Sequence, residues 1–339
     1  MTDYRSSERD FVHLADVKPR LDAQIAWERR RRRKAHWFSE CAAEFVGTFF
    51  YVYAGIGSAA AYRLNTSDPE GASSVLQIGI AYAVGVVLAF VVTQSTSGGH
   101  YNPGFSIVFA LMRRMSPQRA LRYIVAQILG AYCACLLVYL QYGDIIKQVE
   151  TALSATGTLE STLFTPSGPA GVFAIYLAPG TSLWRVFLNE FVCDFLIGLV
   201  IWAVDDQSNF TVSPVVAPWI IGLVFALMVW SFSRVGVATN TARDVGARLM
   251  AITVWGLEAR GGAYSAITAL TNIPATLLAA LFYELVFADY SRVLTPANAN
   301  LLAAQAAYKE HAQGGVAVTR RSTSASSADK GVEMTLERV

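Results

Sequence analysis

Charged residues are scarce in this sequence and gather at its two ends. Only 15% of the 339 residues are Asp, Glu, Lys or Arg, against about 25% in ordinary soluble domains. Residues 1–36 hold 16 of them and residues 289–339 hold 11. The middle, 37–288, has too little charge to cover a soluble globule and is too apolar for a disordered chain. Two polar tails around an apolar block are typical of an integral membrane protein.

Cysteine is also rare, and its placement argues against two kinds of site. Cys41, Cys133, Cys135 and Cys193 all fall in apolar segments, without the spacing of a disulfide framework or a metal centre. We find no nucleophile–base pair in the sequence that would indicate an enzyme. We also expect neither a metal nor a cofactor. Residues 1–36 lack the apolar core of a cleavable signal peptide, so the first apolar segment is expected to direct insertion.

Six apolar segments are long enough to cross a bilayer, which takes about 20 residues of helix. They cover residues 37–62, 74–95, 118–141, 184–204, 214–233 and 264–288. An even number of spans leaves both tails on one side of the membrane. The basic run 29–34 precedes the first span, and the tail side holds more basic residues than the other. The positive-inside rule therefore predicts cytoplasmic tails. We interpret the run in this way, with lipid-headgroup contact as a compatible role, in preference to a nucleic-acid site.

Two shorter apolar segments, of about ten residues each, follow Asn102 and Asn240. Asn is among the best N-cap residues, and Pro103 suits the first position of a helix. Segments of half the spanning length predict re-entrant half-helices. Irregular backbone at membrane depth is tolerated only where it is buried in protein or lines a watery cavity. The sequence therefore predicts a cavity near the middle of the membrane.

The chain also contains an internal repeat. Residues 44–49 (Glu-Phe-Val-Gly-Thr-Phe) match residues 190–195 (Glu-Phe-Val-Cys-Asp-Phe) at an offset of 146, and the two half-helix Asn residues are 138 apart. Repeat 1 covers 37–141 and repeat 2 covers 184–288. Each contains three spans, so the second copy is inverted. Inverted repeats with broken helices at the midplane are typical of a solute pathway.

The predicted fold is an all-α membrane protein with six transmembrane helices and two re-entrant half-helices in two inverted repeats. The channel domain covers 37–288. It lies between a basic cytoplasmic tail, 1–36, and a cytoplasmic tail, 289–339, that we expect to be disordered.

The ordered motifs resemble those of the major intrinsic proteins, the aquaporins and aquaglyceroporins. The resemblance covers about 38–288 and rests on residues 43–48 (Ala-Glu-Phe-Val-Gly-Thr), 97–104 (Ser-Gly-Gly-His-Tyr-Asn-Pro-Gly) and 240–244 (Asn-Thr-Ala-Arg-Asp). Family members usually carry Asn-Pro-Ala twice. The pore motifs here are Asn102, Pro103, Gly104 and Asn240, Thr241, Ala242. Because both Asn residues are kept, we expect both half-helices to form. The departures from the family motif, Gly104 and Thr241, are expected to affect the packing of the half-helices and the pore width.

The pore mechanism follows from dipoles and donors. Two half-helix N-termini at the midplane place about half an elementary positive charge each at that level. The amides of Asn102 and Asn240 are expected to hold a passing oxygen as an acceptor, so that it cannot receive a proton from its neighbour. Neutral solutes then pass while protons and other ions do not.

The resemblance implies a selectivity filter around Arg243, a charge in an apolar region that by itself indicates function. Its position-matched partners are Tyr82, Val237 and, from the fifth helix, Val229 or Met228. No His stands among them, unlike in strict water channels. An apolar wall opposite an Arg suits the carbon backbone and hydroxyls of glycerol.

Further features bear on the branch of the family. Asp244, Arg248 and the long loop 142–183 resemble the glycerol-conducting branch. Against it, Tyr82 is not the Trp typical of bacterial glycerol facilitators.

Three more residues receive roles from the resemblance. Glu44 and Glu190 occupy matching places in the first helix of each repeat, where they are expected to accept hydrogen bonds from the half-helix loops. A buried carboxylate without partners would be costly. His100 is expected at the cytoplasmic mouth, either in a structural hydrogen bond or as a pH sensor.

The predicted function is a passive channel for water and small neutral solutes such as glycerol. Three alternatives stay open: a strict water channel, a gradient-coupled secondary transporter that uses Glu44 and Glu190, and a non-conducting membrane protein of the same fold. The resemblance also implies a homotetramer in the lipid bilayer, which we expect to be the plasma membrane.

Overall fold

The computed structural model describes residues 12–18, 21–64 and 74–312. Within these ranges every regular element is helical and no strand is present. The α-helices in chain order are α1 (Leu14–Val17), α2 (Asp22–Lys34), α3 (His36–Arg63), α4 (Val75–Ser97), α5 (Pro103–Leu111), α6 (Pro117–Gln141), α7 (Gly143–Ala155), α8 (Leu159–Thr162), α9 (Leu183–Asp205), α10 (Ala217–Phe232), α11 (Thr241–Trp255), α12 (Tyr264–Leu270), α13 (Asn272–Val286) and α14 (Pro296–Ala312).

Six helical stretches in the described part of the chain are long and apolar enough to cross a membrane. They are α3, α4, α6, α9, α10 extended by a 3-10 turn to Val235, and α12 joined with α13. Each overlaps one of the six predicted spans and begins or ends within a few residues of it. The prediction of an all-α membrane protein with six spans is confirmed.

The two half-helices are α5 and α11, and both begin at the predicted Asn. The Asn102 side chain accepts a hydrogen bond from the Gly104 N–H at 2.9 Å. Asn240 likewise accepts from the N–H groups of Ala242 at 2.9 Å and Arg243 at 3.1 Å. The first half-helix has 9 residues, whereas the second has 15 and exceeds the expected ten. Its sequence contains no proline, and the helix continues through Gly246 to Trp255, directly before Gly256, where φ is +80°.

The chain divides into two compact units, Trp37–Val293 and a unit formed by the terminal segments. In the terminal unit, Arg32 forms an ion pair with Glu28 at 2.9 Å, and its guanidinium lies 4.8 Å from the Tyr308 ring centroid. The helix α14 differs from the disorder expected for 289–339. It starts at Pro296, a residue suited to a first helical position, and is rich in Ala, the best helix former. Residues 313–339 lie outside the described part.

The long loop 142–183 is partly helical. It forms α7, α8 and a 3-10 turn at Pro169–Val172. Residues 170–174 (Ala-Gly-Val-Phe-Ala) are buried, and Val172 and Phe173 of this short apolar run belong to the main hydrophobic core. The Arg63 side chain anchors the loop by donating to the carbonyls of Pro166 and Gly171.

Small residues allow the spanning helices to approach closely. On α10, a Cβ added to Gly222 would lie 2.7 Å from the Ala83 carbonyl oxygen of α4. On α11, a Cβ added to Gly246 would lie 2.6 Å from the Ala131 Cβ of α6. In membranes, where the solvent is as apolar as the side chains, such close packing is a main source of helix association.

Gly222→Ala is expected to lower stability by about 1–3 kcal/mol, because the facing atom is backbone and the added methyl forces the helices apart. The measurement is thermal unfolding of the purified protein in detergent. The matched control is Gly57→Ala, since a Cβ there meets no atom within 4 Å. Equal unfolding temperatures for the two variants would contradict the proposed close approach.

Candidate functional site

The loop before the first half-helix is held by one buried carboxylate. Glu44 is fully buried. It accepts hydrogen bonds from the backbone N–H groups of His100 at 3.0 Å and Tyr101 at 2.7 Å. The Gln127 amide donates to the same carboxylate at 2.8 Å. Tyr101 has φ of +49°, a left-handed conformation that a non-glycine residue keeps only when its surroundings enforce it.

The loop before the second half-helix repeats this arrangement. Glu190 is also fully buried. Its carboxylate accepts from the N–H of Ala238 at 2.8 Å and from the N–H of Thr239 at 2.6 Å. Thr239 has φ of +55°. Both carboxylates therefore satisfy consecutive backbone donors that have no water to bind at this depth.

The two half-helices are joined to each other through their Asn caps. The Asn102 amide donates to the Thr239 carbonyl at 3.2 Å, and the Asn240 amide donates to the Tyr101 carbonyl at 2.9 Å. The N-termini of α5 and α11 thus meet, and their dipoles point toward one place. Each amide nitrogen uses one hydrogen in these bonds and keeps a second.

The structure brings two predicted filter residues into contact. Nε and Nη2 of Arg243 both lie 3.3 Å from the Tyr82 hydroxyl oxygen, to which they donate. The third guanidinium nitrogen, Nη1, has no hydrogen-bond partner among the described residues. The Tyr82 ring is seated against Gly55, where an added Cβ would overlap it, and lies 5.2 Å from the Tyr51 ring centroid. Arg243 therefore has a fixed orientation, and the two N–H groups of its Nη1 have no partner among the described residues.

The other filter candidates occupy less distinctive places. Met228 is fully buried in the hydrophobic core, while Val229 and Val237 are half-buried and pack against that core. The choice between Val229 and Met228, and the place of Val237 in a filter, stay predictions.

His100 is held in place on its side chain as well as its backbone. Its Nδ1 lies 3.1 Å from the Ser106 hydroxyl. Its ring centroid is 4.7 Å from that of Phe109 and 5.5 Å from that of Tyr123. An imidazole ring held by these contacts favours the structural hydrogen bond over the role of a pH sensor.

The residues after Arg243 attach the second half-helix to the long loop. Asp244 and Arg248 form a buried ion pair at 2.8 Å. Arg248 also donates to the Ile175 carbonyl at 3.1 Å, and its guanidinium lies over the rings of Tyr176 and Tyr264 at about 5.5 Å. Burial raises the pKa of Tyr176, so that its hydroxyl stays protonated. Asp244 and Arg248 therefore hold the second half-helix against the long loop 142–183.

Several fully buried polar residues near the loops were not predicted, among them Gln127, Asp194 and Asn272. Asp194 was visible in the sequence as an acidic residue within an apolar span. Asn272 and Gln127 are uncharged, and their sequence context contains no signal for a role.

Six spanning helices and two capped half-helices that meet end to end define the fold of a channel-forming membrane protein. The family model of the major intrinsic proteins matches residues 31–258. The chain belongs to this family.

Individual relatives agree with the family model. Aquaporin-3 of Laccaria bicolor is 49% identical over 310 residues, which cover 91% of this chain and 94% of that protein. The glycerol uptake facilitator protein of Pseudomonas aeruginosa is 34% identical over 222 residues, which cover 65% of this chain and 76% of that protein. The X-ray structure of the aquaglyceroporin from Plasmodium falciparum matches with a TM-score of 0.63 at 22% identity, covering 74% of this chain and 96% of that one. This last likeness shows the fold.

Glu190→Gln is expected to destabilise the protein by about 2 kcal/mol, because the amide group cannot accept from one of the two buried N–H groups. The thermal unfolding temperature in detergent checks this. Glu258→Gln, at an exposed position, is the control and should leave the temperature unchanged. If the two variants unfold alike, the carboxylate does not hold the loop.

Proposed function

We propose that this protein is a passive transmembrane channel for water and small neutral solutes such as glycerol, and that it excludes protons and other ions. The observation that carries the proposal is the joined pair of Asn caps. It sets two half-helix N-termini and two amide donors at one level of a channel-forming fold.

The charge pattern at this level supports ion exclusion. Two positive dipole ends oppose any cation, including hydronium. The second hydrogens of the Asn102 and Asn240 amides donate to a passing oxygen. An oxygen that accepts from both does not pass a proton along the file, so water crosses without proton conduction.

The pair of Tyr82 and Arg243 supports glycerol as a second solute. The unused Nη1 of Arg243 donates to a solute hydroxyl, while the Tyr82 ring and the aliphatic candidates Val237 and Val229 or Met228 contact carbon. Among the relatives, one is named an aquaporin and another a glycerol uptake facilitator protein. We therefore prefer water with glycerol-like solutes over water alone.

The coordination of the two glutamates argues against a gradient-coupled transporter. The oxygens of Glu44 and Glu190 accept hydrogen bonds from loop backbone. Binding a coupling ion there would remove partners from buried N–H groups, which is costly. Major intrinsic proteins are channels, and we propose no catalytic activity for this one.

We further propose a homotetramer in the plasma membrane, with both termini in the cytoplasm. The orientation follows from the basic residues on the tail side. Large apolar side chains on the spans, such as Val91, Leu121 and Leu285, are exposed in the single chain, and lipid or neighbouring subunits would cover them.

Stopped-flow light scattering on reconstituted vesicles tests the function. An osmotic gradient of impermeant solute should give faster shrinkage than in empty vesicles, and a glycerol gradient should give shrinkage followed by re-swelling. Shrinkage without glycerol re-entry would leave a strict water channel. Fluxes equal to those of empty vesicles would contradict the channel.

Arg243→Ala tests the filter. Removal of the guanidinium widens the constriction and deletes a donor, so glycerol or larger polyols should pass faster relative to water. The ratio of solute to water permeability in the same vesicles measures this. Lys147→Ala, on the loop helix α7, is the control, and an unchanged ratio in Arg243→Ala would contradict the filter assignment.

A further inference from the structure

The carbonyl of Tyr101, in the first loop, accepts two hydrogen bonds. One comes from the Asn240 amide at 2.9 Å. The other comes from the Thr48 hydroxyl, with a donor–acceptor distance of 3.4 Å. Thr48 lies on α3, one turn after Glu44, so the same helix face holds both the N–H groups and a carbonyl of this loop.

The second repeat solves the same problem with different residues. The repeat places Asp194 where the first copy has Thr48. Asp194 makes no hydrogen bond to the Thr239 carbonyl of the kind that Thr48 makes to the carbonyl of Tyr101. Asn272 lies between them. Its amide donates to Asp194 Oδ1 at 2.9 Å and to the Thr239 carbonyl at 3.2 Å.

Gly104 belongs to this arrangement. A Cβ on residue 104 would overlap the Oδ1 of Asn272. The side chain of Asn272 is fully buried and tied to two partners, so it cannot turn away without breaking them. An alanine at position 104, the residue usual in the family, therefore does not fit beside Asn272.

The cost of the cluster indicates that it has a use. Asp194 and Asn272 are fully buried, and each has an oxygen without a hydrogen-bond partner among the described residues, Oδ2 and Oδ1 respectively. An unpaired buried oxygen has lost its water without gaining a partner, which lowers stability. Two apolar residues would avoid this, but they would leave the Thr239 carbonyl with only the Asn102 amide as its partner.

We propose that Asp194, Asn272 and Gly104 form one positioning unit that holds the Thr239 carbonyl and thereby sets how closely the two half-helices approach at the midplane. The inference rests on the proposed channel function and adds the residues that adjust its width. In the second repeat, the Asp194 carboxylate and the Asn272 amide take the place of the Thr48 hydroxyl of the first repeat. This pair is longer than a hydroxyl, and it has space because Gly104 has no Cβ. Asp194 and Asn272 act through the loop, as positioning residues.

A double-mutant comparison tests the unit. Gly104→Ala is measured in the natural sequence and in the Asp194→Thr, Asn272→Ala background, where a threonine can donate directly to the Thr239 carbonyl as Thr48 does in the first repeat. In the natural sequence the alanine should reduce glycerol permeability per channel about tenfold and change the ratio of glycerol to water permeability. In the altered background the loss should fall below about twofold, since residues in contact are not additive.

Controls distinguish a change in pore width from a loss of folded protein. Gly57→Ala, on α3 and free of close contacts, should change nothing in either background. Size-exclusion profiles and unfolding temperatures report the folded fraction, whereas the permeability ratio does not depend on the amount of folded protein. If the altered background does not fold, Asn272→Ser replaces it, because serine can donate to Asp194 without reaching residue 104.

The outcomes are distinct. Equal losses from Gly104→Ala in both backgrounds, or an unchanged permeability ratio, would overturn the positioning unit while the channel function stands. Absence of water and glycerol flux in the unaltered protein would instead overturn the proposed function.

Discussion

Two buried carboxylates that bind the backbone of left-handed loops are the constraint on which this architecture depends. A half-helix ends a chain segment in the middle of the membrane, where an unbound N–H has no water to satisfy it. Glu44 and Glu190 supply acceptors from the neighbouring long helices at 2.6–3.0 Å. Only with the loops fixed in this way can the Asn caps reach the opposite carbonyls. The dipoles, the amide donors and the orientation of Arg243 follow from that geometry.

The two repeats share this scheme without sharing all of its residues. One glutamate, one Asn cap and one non-glycine residue of positive φ directly before that Asn recur in each repeat, while the residue that binds the loop carbonyl differs. A hydroxyl in the first copy corresponds to a carboxylate and an amide in the second. The two repeats are therefore similar in that the backbone groups of both loops have hydrogen-bond partners, as membrane depth requires. They differ in the side chains that supply these partners, because local packing decides which residues fit.

Much of the fold could be predicted from the sequence, because the bilayer reduces the question to length and hydropathy. The six spans, both half-helix starts and the glutamates had signals of their own, namely apolar runs, Asn caps and buried charges. The helix α7, the full length of α11 and the buried run at 170–174 had weaker ones, since a short apolar run does not reveal whether it packs on the channel. Asn272 could not be found, because its role depends on a residue 78 positions away.

The cross-links between the Asn caps also govern how the chain can be made. The amide of Asn102 finds its carbonyl 137 residues later, and the amide of Asn240 reaches back 139 residues. During synthesis the first half-helix therefore exists without its partner until the second loop has been translated and inserted. In each repeat on its own, the half-helix has its Asn cap, but the amide of that Asn lacks the carbonyl of the other repeat. The structure is completed only when the last helices arrive, so assembly of the two halves is a late step of folding rather than an early one.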